Sequence, residues 1–404
     1  MSGQLENTLP GKSASAPTRE ELVERAVALR PQLLEGAPQA DRDRRVDDAN
    51  IEALTAAGLL SLLVPRRFGG LETDAQTVLE VISEIGRGDP AAAWIAGILN
   101  ASTHLVSLFP ERAQEEVWGA DPNARICSPI QPGAEFEKVD GGLRVTGKWP
   151  YASGCLYSQW AVTALILGMT EKGPDIQLML MPMSELTVED TWYMGGMRGT
   201  GSNTLVAKDV FVPDHRIMPF VPALNGMTLA EGIVPGLYTS SLAGILVVVL
   251  LGPQIGIADQ VLDYVREKAP SRAVPVSIYT EQSESVPFQL DLAEAATRID
   301  TAKLHARRAS ADIDAFALTG RLPDDLHRAR LRMDYAWASK NLQEAVDLLV
   351  SAHGTSSFAD VSPLQRLWRD LNVANRHALF GLDVPAEMYG RTLLGKDPKV
   401  SPMV

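Results

Sequence analysis

The sequence is poor in cysteine and contains no segment typical of secretion. Cys127 and Cys155 are the only cysteines among 404 residues, and they form neither a Cys-x-x-Cys pair nor a zinc-type spacing with the six histidines. This scarcity argues against a metal site and favours a reduced, cytoplasmic compartment. Residues 1–17 lack the basic start and apolar centre of a secretory signal, and we expect them to form a flexible tail.

The sequence also lacks a surplus of basic residues and a run long enough to span a membrane. It has 37 basic and 50 acidic residues, and the net charge of −13 repels the phosphates of nucleic acids and anionic lipids. The most apolar run, residues 242–251, is shorter than the roughly 20 residues that a bilayer span requires. Neither nucleic acid nor a membrane is an expected partner, and the run predicts a buried helix.

What the sequence does contain divides it into three regions after the tail. Residues 18–125 carry apolar residues at three- and four-residue spacing, which predicts a helical domain. Residues 126–235 carry short apolar or alternating segments between glycine-rich turns, which predicts a β domain. Residues 236–404 return to helical spacing in long segments, which predicts a four-helix bundle. The predicted fold class is mainly α with a central β domain.

Individual elements follow from the same patterns. The predicted N-terminal helices cover 20–34, 47–57 and 75–86. The predicted strands include 143–146, 161–167, 177–181 and 204–206. The predicted bundle helices cover 241–268, 287–319, 323–353 and 364–380.

The segment 147–154 ends a predicted strand and carries the strongest indication of a ligand. Trp149 and Tyr151 are large and flat, and Ala152 and Ser153 bring backbone amides and a hydroxyl next to them. This combination suits a flat ring with polar edges, such as a flavin. An ordinary turn in which Ser153 bonds the local backbone is the alternative.

Two further pairs of segments occur in an order that resembles the acyl-CoA dehydrogenases. Residues 197–202, followed by 208–213, resemble the strand-turn-strand that ends the β domain of that family. Residues 354–357, followed by 363–370, resemble its late flavin-binding loop and the helix after it. The resemblance covers about residues 20–395 and implies an N-terminal helical domain, a β-barrel-like domain and a C-terminal four-helix bundle.

The catalytic base of those dehydrogenases is missing. The family's carboxylate follows the Arg369-Asp370 pair by about two helical turns or lies on the first bundle helix. No acid occurs from Leu371 to Ala378, and none occurs between residues 232 and 258. His377 stands in the first of these places instead. That substitution resembles the two-component flavin monooxygenases of the same fold, including hydroxylases of hydroxyphenylacetate, of seco-steroid phenols and of indole terpenoids.

The resemblance to these monooxygenases implies a reaction and its partners. Reduced FAD or FMN would come from a separate, transiently bound reductase, and O₂ would react with it to give a C4a-hydroperoxyflavin. The product would be a hydroxylated apolar aromatic molecule, such as a phenol, an indole or a polycycle, and the assembly would be a homotetramer. An N- or S-oxygenase, an acyl-CoA dehydrogenase with a displaced base and a non-catalytic flavin-binding protein remain as alternatives.

The same resemblance assigns four candidate catalytic residues. Ser153 would lie beside flavin N5, and His377 would supply a proton or orient the substrate, since histidine titrates near neutral pH. His104 and Ser128 would contact the peroxide or the substrate as a pair. The alternatives are packing roles for the histidines and a turn-opening role for Ser128 before Pro129.

Further candidates for the cofactor site carry charge or hydroxyl groups. Arg272 would reach the flavin phosphate of a neighbouring subunit, because its planar fork suits phosphate, with Arg266 as a competing choice. Arg198 would bond a flavin edge or stabilise its own turn. Three small polar residues would face a phosphate or form an ordinary helix linker: Thr355, Ser356 and Ser357.

Overall fold

Five helices form the N-terminal region of the protein. The computed structural model describes residues 16–171, 173–226, 231 and 236–401, so most of the predicted tail lies outside the described residues. The helices are α1 (Arg19–Asp43), α2 (Asp48–Ala56), α3 (Ala75–Gly86), α4 (Pro90–Val106) and α5 (Glu111–Trp118). Helix α4 is buried along nearly its whole length, because it lies between the β domain and the C-terminal helices.

Helix α1 extends past the residue at which its prediction ended. It continues through Pro31 and Pro38, where the prediction had stopped at residue 34. A proline inside a helix leaves the carbonyl four residues earlier without its N–H donor. Those carbonyls belong to Val27 and Leu34, which are both exposed. Water can therefore bond them, and the helix survives.

The described residues of the central region form eight strands in two four-stranded sheets. The first sheet has the order β1 (Ile126–Cys127), β4 (Trp160–Thr170), β5 (Gly173–Pro182) and β8 (Ile217–Pro219). The second has the order β2 (Ala134–Val139), β3 (Gly142–Trp149), β7 (Thr204–Pro213) and β6 (Thr187–Glu189). The four predicted strand segments lie within β3, β4, β5 and β7 and are confirmed as strands. Residues from both sheets share a separate apolar core.

The C-terminal region is helical again and packs on the N-terminal helices. After the short α6 (Phe220–Leu224), the helices are α7 (Leu242–Lys268), α8 (Val286–Thr319), α9 (Asp325–His353), α10 (Pro363–Ala374) and α11 (Asp383–Leu393). Helix α7 packs against α8 and α9 on one side and against α3 and α4 on the other. The predicted fold class is confirmed. The predicted boundary at residues 235 and 236 adjoins undescribed residues, and the domain limits stay predictions.

Helix α7 is apolar enough to resemble a membrane span by length and composition. In the segment Leu242–Ser271, however, 89% of the most apolar window is buried inside the protein. Its glycines explain this close packing. A Cβ atom on Gly256 would lie 2.5 Å from the backbone of Gly86, so only glycine allows α7 and α3 to approach this closely.

The predicted fourth bundle helix is wrong in its extent. Helix α10 ends at Ala374, and the chain turns before α11 begins, so His377 lies in a turn and not on a helix. The backbone bonds change at this point: His377 N–H donates to the Ala374 carbonyl, three residues back, at 3.2 Å. The apolar spacing continues past this turn, which is why the pattern predicted a longer helix.

Candidate active site

Ser153 lies in a turn of unusual backbone conformation at the end of β3. Tyr151 has a φ of 62° and Gly154 a φ of 81°, and a positive φ is uncommon for a residue with a side chain. Ala152 N–H donates to the Asn203 carbonyl at 3.0 Å, which fastens the turn to the loop before β7. Such strain persists only where the surrounding structure holds it, and it is concentrated at functional sites.

The hydroxyl of Ser153 belongs to a chain of hydrogen bonds in which the donor of each bond can be assigned. Trp94 Nε1 donates to Ser153 Oγ at 3.1 Å, Ser153 and Ser202 oxygens lie 2.7 Å apart, and Ser202 and Thr200 oxygens lie 2.8 Å apart. Thr200 Oγ1 donates to the Met197 carbonyl at 2.9 Å, and a carbonyl can only accept. Each hydroxyl therefore donates to the next, and Ser153 keeps one lone pair free to accept a further N–H.

Trp94 is the central residue of this site that the sequence reasoning missed. Its side chain is only 8% exposed, its Nε1 bonds Ser153, and the centroid of its ring lies 5.9 Å from that of His377, edge to face. It contacts both Ser153 and His377, the first two catalytic candidates from the sequence. The only signal was one tryptophan after three alanines on an apolar helix, which periodicity does not distinguish from core.

His377 is present in its neutral form at pH 7. Burial, with the nearby charge of Arg332, lowers the pKa of His377 to about 4. Leu379 N–H donates to His377 Nδ1 at 3.3 Å, so the proton of the neutral ring is on Nε2. The expectation that this histidine titrates near neutral pH is therefore corrected. His377 offers an N–H hydrogen bond and not an imidazolium proton.

His104 lies on α4, whereas Ser128 follows β1 and contacts a different face of that helix, so the two residues do not bond each other. Ser128 Oγ lies 2.7 Å from Ser102 Oγ, whereas His104 Nε2 lies 3.2 Å from the Leu237 carbonyl and 3.2 Å from Ser240 Oγ. Ser102 and His104 are two positions apart, which is about 200° around a helix. The Ser102 face of α4 therefore lies against Ser128 at the start of the β domain, and His104 faces the turn before α7.

The bonds of His104 define its protonation as well. Because Leu237 offers a carbonyl, Nε2 carries the proton, and Nδ1 is buried without a hydrogen-bond partner among the described residues. Burial lowers the pKa of His104 to about 4. The acceptor Nδ1 is the atom of this residue that a ligand donor could bond.

Two of the predicted flavin-binding residues already use their side chains in hydrogen bonds within the protein. Trp149 is fully buried in the core of the β domain and donates from Nε1 to the Ala164 carbonyl at 2.8 Å, so only its backbone remains for a ligand. Arg198 donates to the carbonyls of Asp41 at 2.9 Å and Met194 at 3.2 Å. These bonds match its alternative role in stabilising the turn, whereas the exposed ring of Tyr151 remains accessible.

The predicted phosphate contacts that follow α7 and α9 come together in space. Arg272 Nη2 donates to Ser356 Oγ at 2.8 Å and to the His353 carbonyl at 2.8 Å. Thr355 and Ser356 are exposed, whereas Ser357 is fully buried and donates to the Val350 carbonyl at 3.0 Å. Ser357 therefore closes the end of α9, and its hydroxyl is not available to a phosphate.

The residues present fit a flavin in two respects. The free lone pair of Ser153 can accept from an N–H at the edge of a ring. Arg272 Nε is buried and has no hydrogen-bond partner within the described ranges, which suits a phosphate oxygen. Among the residues that the structure describes, no group of three or more His, Cys, Asp or Glu side chains is placed to hold a metal ion.

Comparison with protein families and known proteins agrees with this geometry. Residues 18–121 match the acyl-CoA dehydrogenase N-terminal domain and residues 248–381 match the acyl-CoA dehydrogenase C-terminal domain. The chain is 33% identical over 391 residues to the oxygenase component of the FADH₂-dependent resorcinol hydroxylase of a Rhizobium species, covering 94% of this chain and 95% of the relative. The chain belongs to the flavin-dependent monooxygenases with the acyl-CoA dehydrogenase fold.

Two other proteins are similar to this monooxygenase over nearly their full length. The oxygenase subunit HsaA of Rhodococcus jostii is 32% identical over 373 residues, covering 91% of this chain and 97% of HsaA. The structure of XiaF from a Streptomyces species, in complex with FADH₂ and glycerol, has a TM-score of 0.88 and 36% identity. The match covers 95% of this monooxygenase and 97% of XiaF. The sequence-based identification through the missing carboxylate and His377 is thereby confirmed at the level of the family.

Proposed function

We propose that this chain is the oxygenase component of a two-component system that hydroxylates an aromatic molecule. It would bind reduced FAD or FMN from a separate reductase and use O₂ as the second substrate. The observation that carries the proposal is the joined cluster of Ser153, Trp94 and His377 at the end of β3. Its support includes relatives that are named for resorcinol, p-hydroxyphenylacetate and indole-3-acetate.

The residues of the cluster would have distinct tasks. A bound reduced flavin supplies the electrons that activate oxygen, and the protein supplies position and a dry environment. Ser153 accepts an N–H of the ring through its free lone pair, and Trp94 holds that hydroxyl in place. His377 donates from Nε2 toward the reacting oxygen or the substrate hydroxyl while it stays neutral. The apolar faces of α4 and α7 exclude water.

We further propose that the active form is a homotetramer in which a second copy completes the phosphate site. Several apolar side chains near the Arg272–Ser356 contact are exposed: Val276 and Ile278 on one side, Phe358 and Val361 on the other. Covering such residues with another copy would remove apolar surface from water. The reductase would then need only a brief encounter to deliver flavin.

A single kinetic experiment tests the catalytic proposal. The protein is mixed anaerobically with chemically reduced FAD or FMN, then with oxygenated buffer, and absorbance is followed in a stopped-flow instrument. We expect oxidised flavin to return in two phases, with a transient species that is longer-lived than in free flavin. One-phase reoxidation at the rate of free flavin, or reduction of bound flavin by an acyl-CoA, would reject the proposal.

A further inference from the structure

Arg332 on α9 is a buried cation with no ion-pair partner among the described residues. Its side chain is 6% exposed, and its Nε and Nη1 atoms have no hydrogen-bond partner in the described part of the chain. Three neighbouring arginines of the α8–α9 pair are bonded to carboxylates. These pairs are Arg308 with Asp334, Arg328 with Asp325 and Arg330 with Asp312.

An unpaired buried charge is unfavourable, and folding alone gives no reason to keep it. Removing a guanidinium from water costs free energy that only an anion with good geometry offsets. Burial lowers the pKa of Arg332, and no nearby carboxylate opposes this effect. Arginine nevertheless stays protonated in proteins, so the charge remains and can bind an anion.

The surroundings of Arg332 connect it to the candidate active site. It lines a cavity of about 50 Å³ between the starts of α7 and α9 and the end of α8. Ser240 lines the same cavity and contacts His104. The charge of Arg332 is also close enough to lower the pKa of His377. The cavity therefore adjoins His104 through Ser240, and the positive charge in its lining acts on His377.

The lining of the cavity selects for one kind of molecule. Ile313, Phe316 and Leu331 supply apolar walls. The charged residues among those described in the lining are all basic, namely Arg321, Arg328 and Arg332. An apolar cavity of this size, with positive charge and no carboxylate in its described lining, has room for an anionic oxygen group at the edge of an aromatic ring.

We propose that Arg332 binds an anionic oxygen group of the aromatic substrate, a carboxylate or a phenolate, and so selects anionic over neutral aromatics. The planar guanidinium would hold two oxygens of a carboxylate or one phenolate oxygen. The ring would extend from this anchor toward His377 and Ser153. This inference rests on the proposed function and specifies its substrate class.

The test measures equilibrium binding without oxygen. Protein with reduced FAD is titrated anaerobically, by calorimetry, with indole-3-acetate and its neutral amide, and with 4-nitrophenolate and neutral 4-nitroanisole. We expect the anionic member of at least one pair to bind tenfold or more tightly than its neutral partner. The first pair identifies a carboxylate and the second a phenolate. Equal binding within both pairs would overturn the inference.

Matched variants assign the preference to the residue. Arg332→Met should reduce the preference to about onefold, whereas Arg330→Met, two positions along the same helix, should retain it. Arg332→Lys should keep part of the preference for the anionic ligand, because a lysine preserves the charge but not the planar guanidinium. Equal losses in the variants at 330 and 332, or weaker binding of reduced FAD alone in Arg332→Met, would contradict the proposal.

Stability separates a binding role from a structural one. Replacing an unpaired buried charge with an apolar side chain of similar length should raise the melting temperature of the ligand-free protein. A lower melting temperature in Arg332→Met would instead indicate a structural role. Because these measurements involve no oxygen reaction, their failure leaves the proposed function intact. Failure of that function would appear in the stopped-flow experiment.

Discussion

At the scale of single residues, the site depends on hydrogen-bond direction. Ser153 donates to Ser202 because the chain of hydroxyls ends at the Met197 carbonyl, and Trp94 occupies one of its lone pairs. The sequence indicated which hydroxyl to examine. It did not indicate the tryptophan that holds it, because Trp94 lies 59 positions away on a different element.

Ser153→Ala should uncouple the reaction while leaving flavin binding largely intact. The change removes one acceptor at the ring edge but none of the contacts near Arg272. We expect release of hydrogen peroxide per reduced flavin to rise severalfold, measured with a peroxidase-coupled assay. Ser158→Ala is the control, because Ser158 lies five positions further along the chain and donates to the Gly154 carbonyl at 2.9 Å. Unchanged coupling in Ser153→Ala would count against its assigned role.

His377 should make the protein less stable in acid. Its pKa is about 4 in the folded protein, below the ordinary value of 6.5, so the unfolded chain binds the proton first as pH falls. The stabilising contribution is complete above about pH 6.5 and is lost toward pH 4. Substituting His377→Asn should shrink the difference in unfolding free energy between pH 7.5 and pH 5 by about 1–2 kcal/mol. Urea denaturation of both proteins at the two pH values measures this difference. The same difference in His377→Asn and in the unsubstituted protein would refute the lowered pKa of His377.

At the scale of elements, the contact between α3 and α7 determines how the two helical regions meet. A Cβ on Gly256 would lie 2.5 Å from backbone atoms of α3, and Gly252 similarly approaches Ile82. Backbone cannot move aside as a flexible side chain can. Local spacing predicted both helices, but it did not predict which glycines would face each other.

Gly256→Ala should destabilise the protein by about 1–3 kcal/mol, because the added methyl forces the helices apart. Gly390→Ala is the matched control, since Gly390 lies inside α11 and has no atom within 4 Å of its would-be Cβ. That variant should stabilise by about 0.5–1 kcal/mol through helix propensity alone. Chemical denaturation of both variants measures the contrast, and equal effects would refute the packing argument.

The turn after α10 shows where element prediction fails. Leu371, Ala374 and Ala378 continue a helical spacing, yet the helix ends at Ala374. The imidazole of His377 accepts the N–H of Leu379, a bond that only a turn permits. Spacing reports which residues face the core and does not report such side-chain bonds to the backbone.

At the scale of the whole molecule, assembly is the feature with the clearest test. Ile278 is 90% exposed and adjoins the segment that holds Arg272. If a second copy covers it, Ile278→Asp should shift the protein to a smaller species, observed by size-exclusion chromatography with light scattering. Met169→Asp is the control, because Met169 is 76% exposed at the hairpin between β4 and β5. A wild-type monomer, or equal shifts in both variants, would argue against the proposed assembly.

The sequence by itself determined the order of helical, β and helical regions and the family, and it identified Ser153 and His377 as candidates. Local patterns carry this information because burial periodicity and motif order are properties of neighbouring residues. Only the tertiary structure decided that Trp94 joins those two residues, that His104 and Ser128 face apart, and that Arg332 has no ion-pair partner in the described part of the chain. Those facts depend on distances between residues far apart in the chain, which no local pattern records.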